Sequence, residues 1–279
     1  MNINLLSGIF EFPFMQRAFI AGIILAALLS LLGVFVVLKK MAFFADGIAH
    51  ASLAGVAAGI IFSSDPLLWA LSAAVLFSIV IFFLEQKQSL SADTSIGIIF
   101  SFGMALGVFL ISLKPGYQSE LVSFLFGNIL AIRRADIGLI GILSGLIILY
   151  VIKNLRSLTL LCLDKESAYL AGVKSDRMLL ILNIILAVAV VLGIRIMGVI
   201  LVSALLVIPV ATAKIFSKSF IALLIMSIFF GEAAVISGLI ISFSKDIPAG
   251  PAIVLSGTLL FASISLVFNI LAGRRRVKE

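Results

Sequence analysis

The sequence predicts an all-α integral membrane protein, a polytopic bundle of about eight to nine transmembrane helices. Three observations lead there. Of the 279 residues, 63% are hydrophobic and 12% are charged, whereas soluble domains carry about a quarter charged residues. The mean hydropathy is +1.32. Apolar runs long enough to cross a hydrocarbon core of about 30 Å recur from end to end. No soluble fold of this length could bury so much apolar surface, so lipid is the solvent for most side chains.

Taken in order, the candidate spans are Arg17–Leu38, Phe44–Phe62, Leu67–Leu84, Ser95–Leu113, Ile137–Ile152, Met178–Ile194, Met197–Ala213, Phe220–Phe243 and Ala252–Leu271. A tenth apolar piece, Leu121–Ile132, is short for a crossing and reads as re-entrant or interfacial. Before the first span, Met1–Gln16 lacks the basic region and small-residue cleavage site of a secretory signal, so it reads as retained. Its Phe10, Phe12 and Phe14 suggest a segment resting at the interface.

The 20 Lys+Arg against 13 Asp+Glu fit the basic bias of cytoplasmic loops, not a nucleic-acid footprint. The tail 273–279, with Arg274, Arg275 and Arg276, is expected inside, as is the longest polar connection, about 153–177. Four candidate spans separate them, so the two assignments agree. Counting back puts Glu85–Asp93 and Lys39-Lys40 inside and the N-terminus outside. The outer loops are minimal, and the whole of 1–279 reads as one membrane domain. The 22 glycines, many beside Ala or Ser, suit close helix packing. The single cysteine, Cys162, excludes an internal disulfide framework and a multi-cysteine metal site.

Polar groups deep in a membrane are costly, so they carry functional weight. Asp46 and His50 are four residues apart, which puts them on one helix face. A carboxylate oxygen and an imidazole nitrogen together suit a borderline divalent cation such as Zn²⁺, and also Mn²⁺ or Fe²⁺. His50 is the only histidine. Counted from Lys39-Lys40, it lies about 15 Å into the membrane, near the midplane. The alternative is an Asp–His hydrogen-bonded pair that fixes helix packing. Glu232, beside Gly231 in a long apolar span, is either a second pathway carboxylate or a protonated structural acid. Asp93 reads as an N-cap at a span entrance. Arg195 marks a loop or snorkels, and Pro209 should kink its helix.

Some chemistry is missing. No Gly-x-x-x-x-Gly-Lys-Ser/Thr loop occurs, so the chain carries no nucleotide site of that kind. One histidine excludes His-Glu-x-x-His, and no Ser/His/Asp set with a plausible elbow is present. Transport without catalysis is expected, with no catalytic residues and no permanently bound cofactor. Within the 153–177 connection, Asp164 is a good cap, Glu166 favours a first turn and Gly172 ends one, so Asp164–Val173 reads as a short helix. It would either lie on lipid or dock into a partner. The chain's soluble part is so small that a partner must supply any energy from ATP.

These residues resemble a known family. The match runs from about Gly33 to Leu260 and rests on blocks in order: Lys39–Asp46 continuing through His50-Ala51-Ser52-Leu53; Ala92–Ile98; Phe124–Ala131; Asp164–Val173; Gly198–Pro209; and Asp246–Pro251. The chain is similar to the ABC-3 permeases of bacterial zinc/manganese uptake ABC transporters, nearest the high-affinity zinc uptake permease. The resemblance implies a type II ABC importer-like permease in the bacterial inner (cytoplasmic) membrane. It would move Zn²⁺, or next Mn²⁺, into the cytoplasm as a homodimer with separate ATP-binding subunits and an extracytoplasmic metal-binding protein. It also implies that Asp46 and His50 handle the metal, and that the connection bearing Asp164, Glu166 and Gly172 meets the ATPase. Asn128 departs from the pattern, standing where the zinc permeases are expected to carry an acidic residue. The alternative is a stand-alone secondary metal-ion transporter or channel, with Glu232 as a proton site.

Overall fold

Inside a bilayer every backbone N–H and C=O must find its partner within the protein, which leaves an apolar run little choice but to be helical. A computed structural model describes residues 11–87, 90–114, 124, 127, 129 and 132–276, and there the apolar runs are helices throughout. In chain order these are α1 (Pro13–Leu38), α2 (Phe44–Ile61), α3 (Pro66–Lys87), α4 (Ala92–Ser112), α5 (Arg134–Lys153), α6 (Leu155–Leu163), α7 (Lys165–Leu170), α8 (Ser175–Met197), α9 (Val199–Lys214), α10 (Phe220–Lys245) and α11 (Ala249–Arg276).

Local chemistry sets the boundaries. Pro66 opens α3, where its missing N–H costs nothing, and the Leu67 N–H donates to Asp65 Oδ1 at 2.9 Å. Ser91 caps α4 by accepting from the Thr94 N–H at 3.2 Å, and Ser219 caps α10 by accepting from the Ala222 N–H at 3.2 Å. Asp93 therefore is not the cap expected of it. It lies two residues past that cap, in the first turn, where its charge still meets the positive end of the helix dipole. Arg195 does not mark a loop. α8 runs through it to Met197, and the break comes at Gly198, whose φ of +80° few other residues would adopt.

Eight of the nine expected spans are helices long and apolar enough to cross a membrane, among the described residues. The exception is Met197–Ala213, which becomes α9, only 16 residues long. At 1.5 Å per residue it spans about 24 Å, a shortfall a bilayer can absorb by thinning. The agreement in side between the 153–177 connection and the tail depends on α9 crossing. Most of the piece expected to be re-entrant, Leu121–Ile132, lies outside the described residues, as do Asn128, Phe10 and the last three residues of the tail.

The chain divides into two compact units. The first comprises Met1–Val34, Ile129–Gly141 and Ala204–Glu279. Its helices approach through glycines: Gly231 faces Ser30, and Gly238 faces the Ile253 backbone. Ring contacts tie its ends, Phe12 to Phe243 at 5.8 Å and Phe216 to Phe268 at 6.1 Å between centroids.

The second unit comprises Phe35–Asn128 and Ile142–Ser203. Its centre is α2, packed mainly against α4 and α3, with α8 against both α3 and α2. The sequence of α2 explains that place. Ala51 and Ala54 meet Gly103 and Gly107 of α4, while Gly55 and Gly59 meet Trp69 and Pro66 of α3. Small residues on both faces let three backbones come close, the packing that replaces hydrophobic drive in lipid.

A Cβ at Gly103 would overlap the Ala51 backbone, whereas one at Gly145 would meet nothing within 4 Å. Gly103→Val should therefore cost about 1–3 kcal/mol through overpacking. Read as the thermal midpoint in detergent, Gly103→Val should be clearly lower than wild type and Gly145→Ala should not.

Candidate metal-handling site

Asp46 and His50 both lie on α2, half-buried, one turn apart. α2 begins only at Phe44, after a turn in which Lys40 takes a φ of +57°. Asp46 is then about 3 Å and His50 about 9 Å along the helix. The pair sits nearer the end of α2 that follows Lys39-Lys40 than a count from the lysines suggests, because the residues between are turn, not helix.

The two side chains are not hydrogen-bonded to each other. Ser203 Oγ donates to Asp46 Oδ1 at 2.6 Å, across 157 residues of sequence. This orients the carboxylate, as partners behind a metal ligand commonly do. His50 packs edge-on against Phe100, with centroids 4.9 Å apart at 73°. Its Nδ1 is buried without a hydrogen-bond partner among the described residues. A buried imidazole nitrogen with nothing to bind costs about 1–3 kcal/mol, a cost a cation or donor would relieve. Beside Asp46, and not lined by His50, lies a cavity of about 250 Å³ formed by Phe43, Asp46, Gly47, Asp93, Ile96, Gly97 and Phe100. Asp93, expected only as a cap, thus shares a cavity with Asp46. Among the described residues no group of three or more His, Cys, Asp and Glu could hold a metal ion. One chain offers one carboxylate and one imidazole, half of a tetrahedral set.

Glu232 belongs to the first compact unit, on α10 beside Gly231, and is half-buried. Its Oε2 is buried without a hydrogen-bond partner among the described residues, as is the Ser30 hydroxyl that faces Gly231.

The connection after α5 folds as a short helix between two joints. Asp164 is extended, with φ −154° and ψ 120°, and caps α7 by accepting from the Glu166 N–H at 3.2 Å and the Ser167 N–H at 3.0 Å. The Ser167 hydroxyl donates to it as well. That hydroxyl first, then the two N–H groups, hold the Asp164 carboxyl below the usual range. At the other end the Val173 N–H bonds the Ala168 carbonyl at 3.0 Å and the Gly172 N–H bonds Tyr169 at 2.9 Å, with Gly172 at φ +79°. This is the paired closure that glycine permits at a helix end. Tyr169 and Leu170 are 74% and 84% exposed. They line an open cavity of about 680 Å³ with Lys165, Glu166, Lys174, Ser175, Asp176 and Arg177.

The profile of the ABC 3 transport family matches residues 11–268. The chain belongs to that family. It is 33% identical to the high-affinity zinc uptake system membrane protein ZnuB of Haemophilus influenzae, over 90% of this chain and 96% of that one. It is 34% identical to the manganese import system permease protein ScaB of Streptococcus gordonii, over 97% and 96%. It superposes on the solved structure of PsaBC from Streptococcus pneumoniae, in complex with a Fab, with a TM-score of 0.82 and 30% identity over 95% of each chain. This ABC-3 chain is a multi-pass membrane protein with the fold of ABC importer permeases.

Sequence reasoning missed Ser203 and Phe100. Ser203 stood in the quoted Gly198–Pro209 block, but nothing local says that its hydroxyl reaches α2. Cys162, on α6, is half-buried, and burial pushes its thiol up to about 11 against an opposing effect of Lys39. A raised thiol keeps its proton until the pH approaches that value, so at pH 8 about one in a thousand is thiolate. Maleimide labelling of Cys162 in the native ABC-3 chain should be slow at pH 8 and rise about tenfold per pH unit towards 11. Labelling as fast as that of free cysteine would contradict this placement.

Proposed function

We propose that the chain is the permease subunit of a metal ABC importer that carries a divalent transition metal ion into the cytoplasm, zinc in preference to manganese. The observation that carries the reading is the Asp46/His50 pair: two ligand types on one turn, the carboxylate oriented by Ser203 and the imidazole left with an unpartnered nitrogen. Relatives named for zinc and for manganese both support a metal cargo. The His50 nitrogen favours zinc, although the same donors also accept manganese.

In this reading 1–279 acts as one membrane domain and works as a homodimer. Two copies supply two carboxylates and two imidazoles, a four-ligand set. Such a site stays weak enough to release its ion, because the ligands come from separate chains and need not close fully. Separate ATP-binding subunits dock on α7 and drive transport. An extracytoplasmic metal-binding protein delivers the ion. Tyr169 and Leu170 support the docking assignment, since large apolar side chains that exposed favour a partner.

A second reading is a stand-alone secondary metal-ion transporter, in which Glu232 takes up a proton. Its support is the unpartnered Glu232 oxygen. Purified protein in liposomes separates the two: uptake without any ATPase favours the second.

Asp46→Ala and His50→Ala should each lower metal uptake at least about tenfold in variants that still insert and assemble, about 1.4 kcal/mol or more of lost binding or barrier stabilisation. Ser203→Ala should have a smaller effect, since it removes an orienting bond and no ligand. Normal uptake by both Asp46→Ala and His50→Ala would sink the pathway role. Competition among zinc, manganese and iron in metal-depleted cells assigns the cargo.

A further inference from the structure

Three side chains from three elements meet where α7 joins the membrane helices. Lys165, the first residue of α7, pairs with Asp176 of the first turn of α8, Nζ to Oδ1 at 2.9 Å. The same Nζ donates to Gln86 Oε1, in the last turn of α3, at 3.0 Å. Gln86 Nε2 then donates to Asp176 Oδ1 at 3.1 Å, closing a triangle. Each corner is bonded to the other two.

Apart from its packing against α6 and α8, little else holds α7 in place. It has six residues, and of these only Ala168 is buried. Its far end turns on Gly172, at a φ of +79° that glycine adopts freely. The apolar anchor nearby, Phe82, Leu161 and Leu179, fastens α6 to α3 and α8 and includes no residue of α7. We propose that Lys165, Gln86 and Asp176 form a clasp that keeps α7 rigid on α3 and α8, so that a push on α7 reaches α2 and its Asp46/His50 pair. The route is short. α3 and α8 both pack against α2, within the same compact unit.

An exposed ion pair adds little to global stability. Lys165 and Asp176 are 44% and 66% exposed as side chains, so the clasp is a poor device for holding the fold together and a reasonable one for holding one short helix at a fixed angle. These are positioning residues. They act on the metal pair through α3 and α8, and the proposal rests on the docking of an ATPase at α7.

Gln86 is the place to test it, because Gln86 does not line the exposed cavity where a partner would sit. The assay uses the full complex in proteoliposomes, with radiolabelled Zn²⁺ or Mn²⁺ and ATP hydrolysis measured together. Gln86→Lys sets two cations side by side. It should lower ions carried per ATP hydrolysed about fivefold, the factor matching the upper end for an exposed pair, while the ATPase still co-purifies and hydrolyses ATP. Gln86→Lys with Lys165→Glu puts the cation back between two acids and should restore the ratio. In a Cys162→Ala background, Gln86→Cys/Lys165→Cys joined by a short reducible thiol cross-linker ties α7 to α3 covalently and should keep transporting. An unchanged ratio in Gln86→Lys overturns the clasp. So does transport that stops on cross-linking and returns with reductant, because the clasp would then have to open. Loss of the ATPase from the Gln86→Lys complex overturns it in favour of direct docking. Uptake by the unaltered complex without ATP would instead defeat the importer reading, and the clasp with it.

Discussion

The close approach of α2 to its neighbours is the constraint on which the second unit depends. A carboxylate and an imidazole cannot face lipid without a cost of several kcal/mol, so the helix that carries them has to be walled by protein. α2 achieves this with small side chains. Gly103 and Gly107 admit Ala51 and Ala54, and Gly55 and Gly59 admit the Trp69 and Pro66 backbone. Within that packing Asp46 and His50 are half-buried, and Ser203 bonds Asp46 at 2.6 Å. Bulkier residues on either face would push α3 and α4 outward and bring lipid or water to the pair.

Much of this was readable from residue order. Span positions follow from hydropathy, and α2 begins at the residue expected, Phe44. The Asp46/His50 spacing places both on one turn wherever the helix lies. Asp164 caps α7, and Gly172 closes it, because capping is a local matter between residues two to five apart. What the sequence hid is of two kinds. One is competition between neighbours: Ser91 and Asp93 can both cap, and Ser91 is placed so that its hydroxyl reaches the Thr94 N–H. Likewise Gly198 breaks the chain where Arg195 drew attention, since a left-handed φ is cheap for glycine and charge alone does not end a helix. The other kind is long range. Ser203 to Asp46 and Gln86 to Asp176 join residues 157 and 90 positions apart, and no local pattern announces them.

The two polar sites of the second unit are built to opposite specifications, and that contrast bears on how a transport site works. Around α7 the polar groups satisfy one another: Asp164 accepts three bonds, and Lys165, Gln86 and Asp176 close a triangle. Such saturation fixes geometry. At α2 the opposite holds, with one bond to Asp46 and an unpartnered nitrogen on His50. A site that saturated its own donors would have no reason to take up an ion, and one that fully caged the ion would not let it go. In the proposed metal-handling role, an incomplete ligand set held on a closely packed helix would meet both demands. In the proposed homodimer, selectivity would come from ligand type and from the geometry that a second copy imposes, since raw affinity does not rank zinc against manganese in the cell.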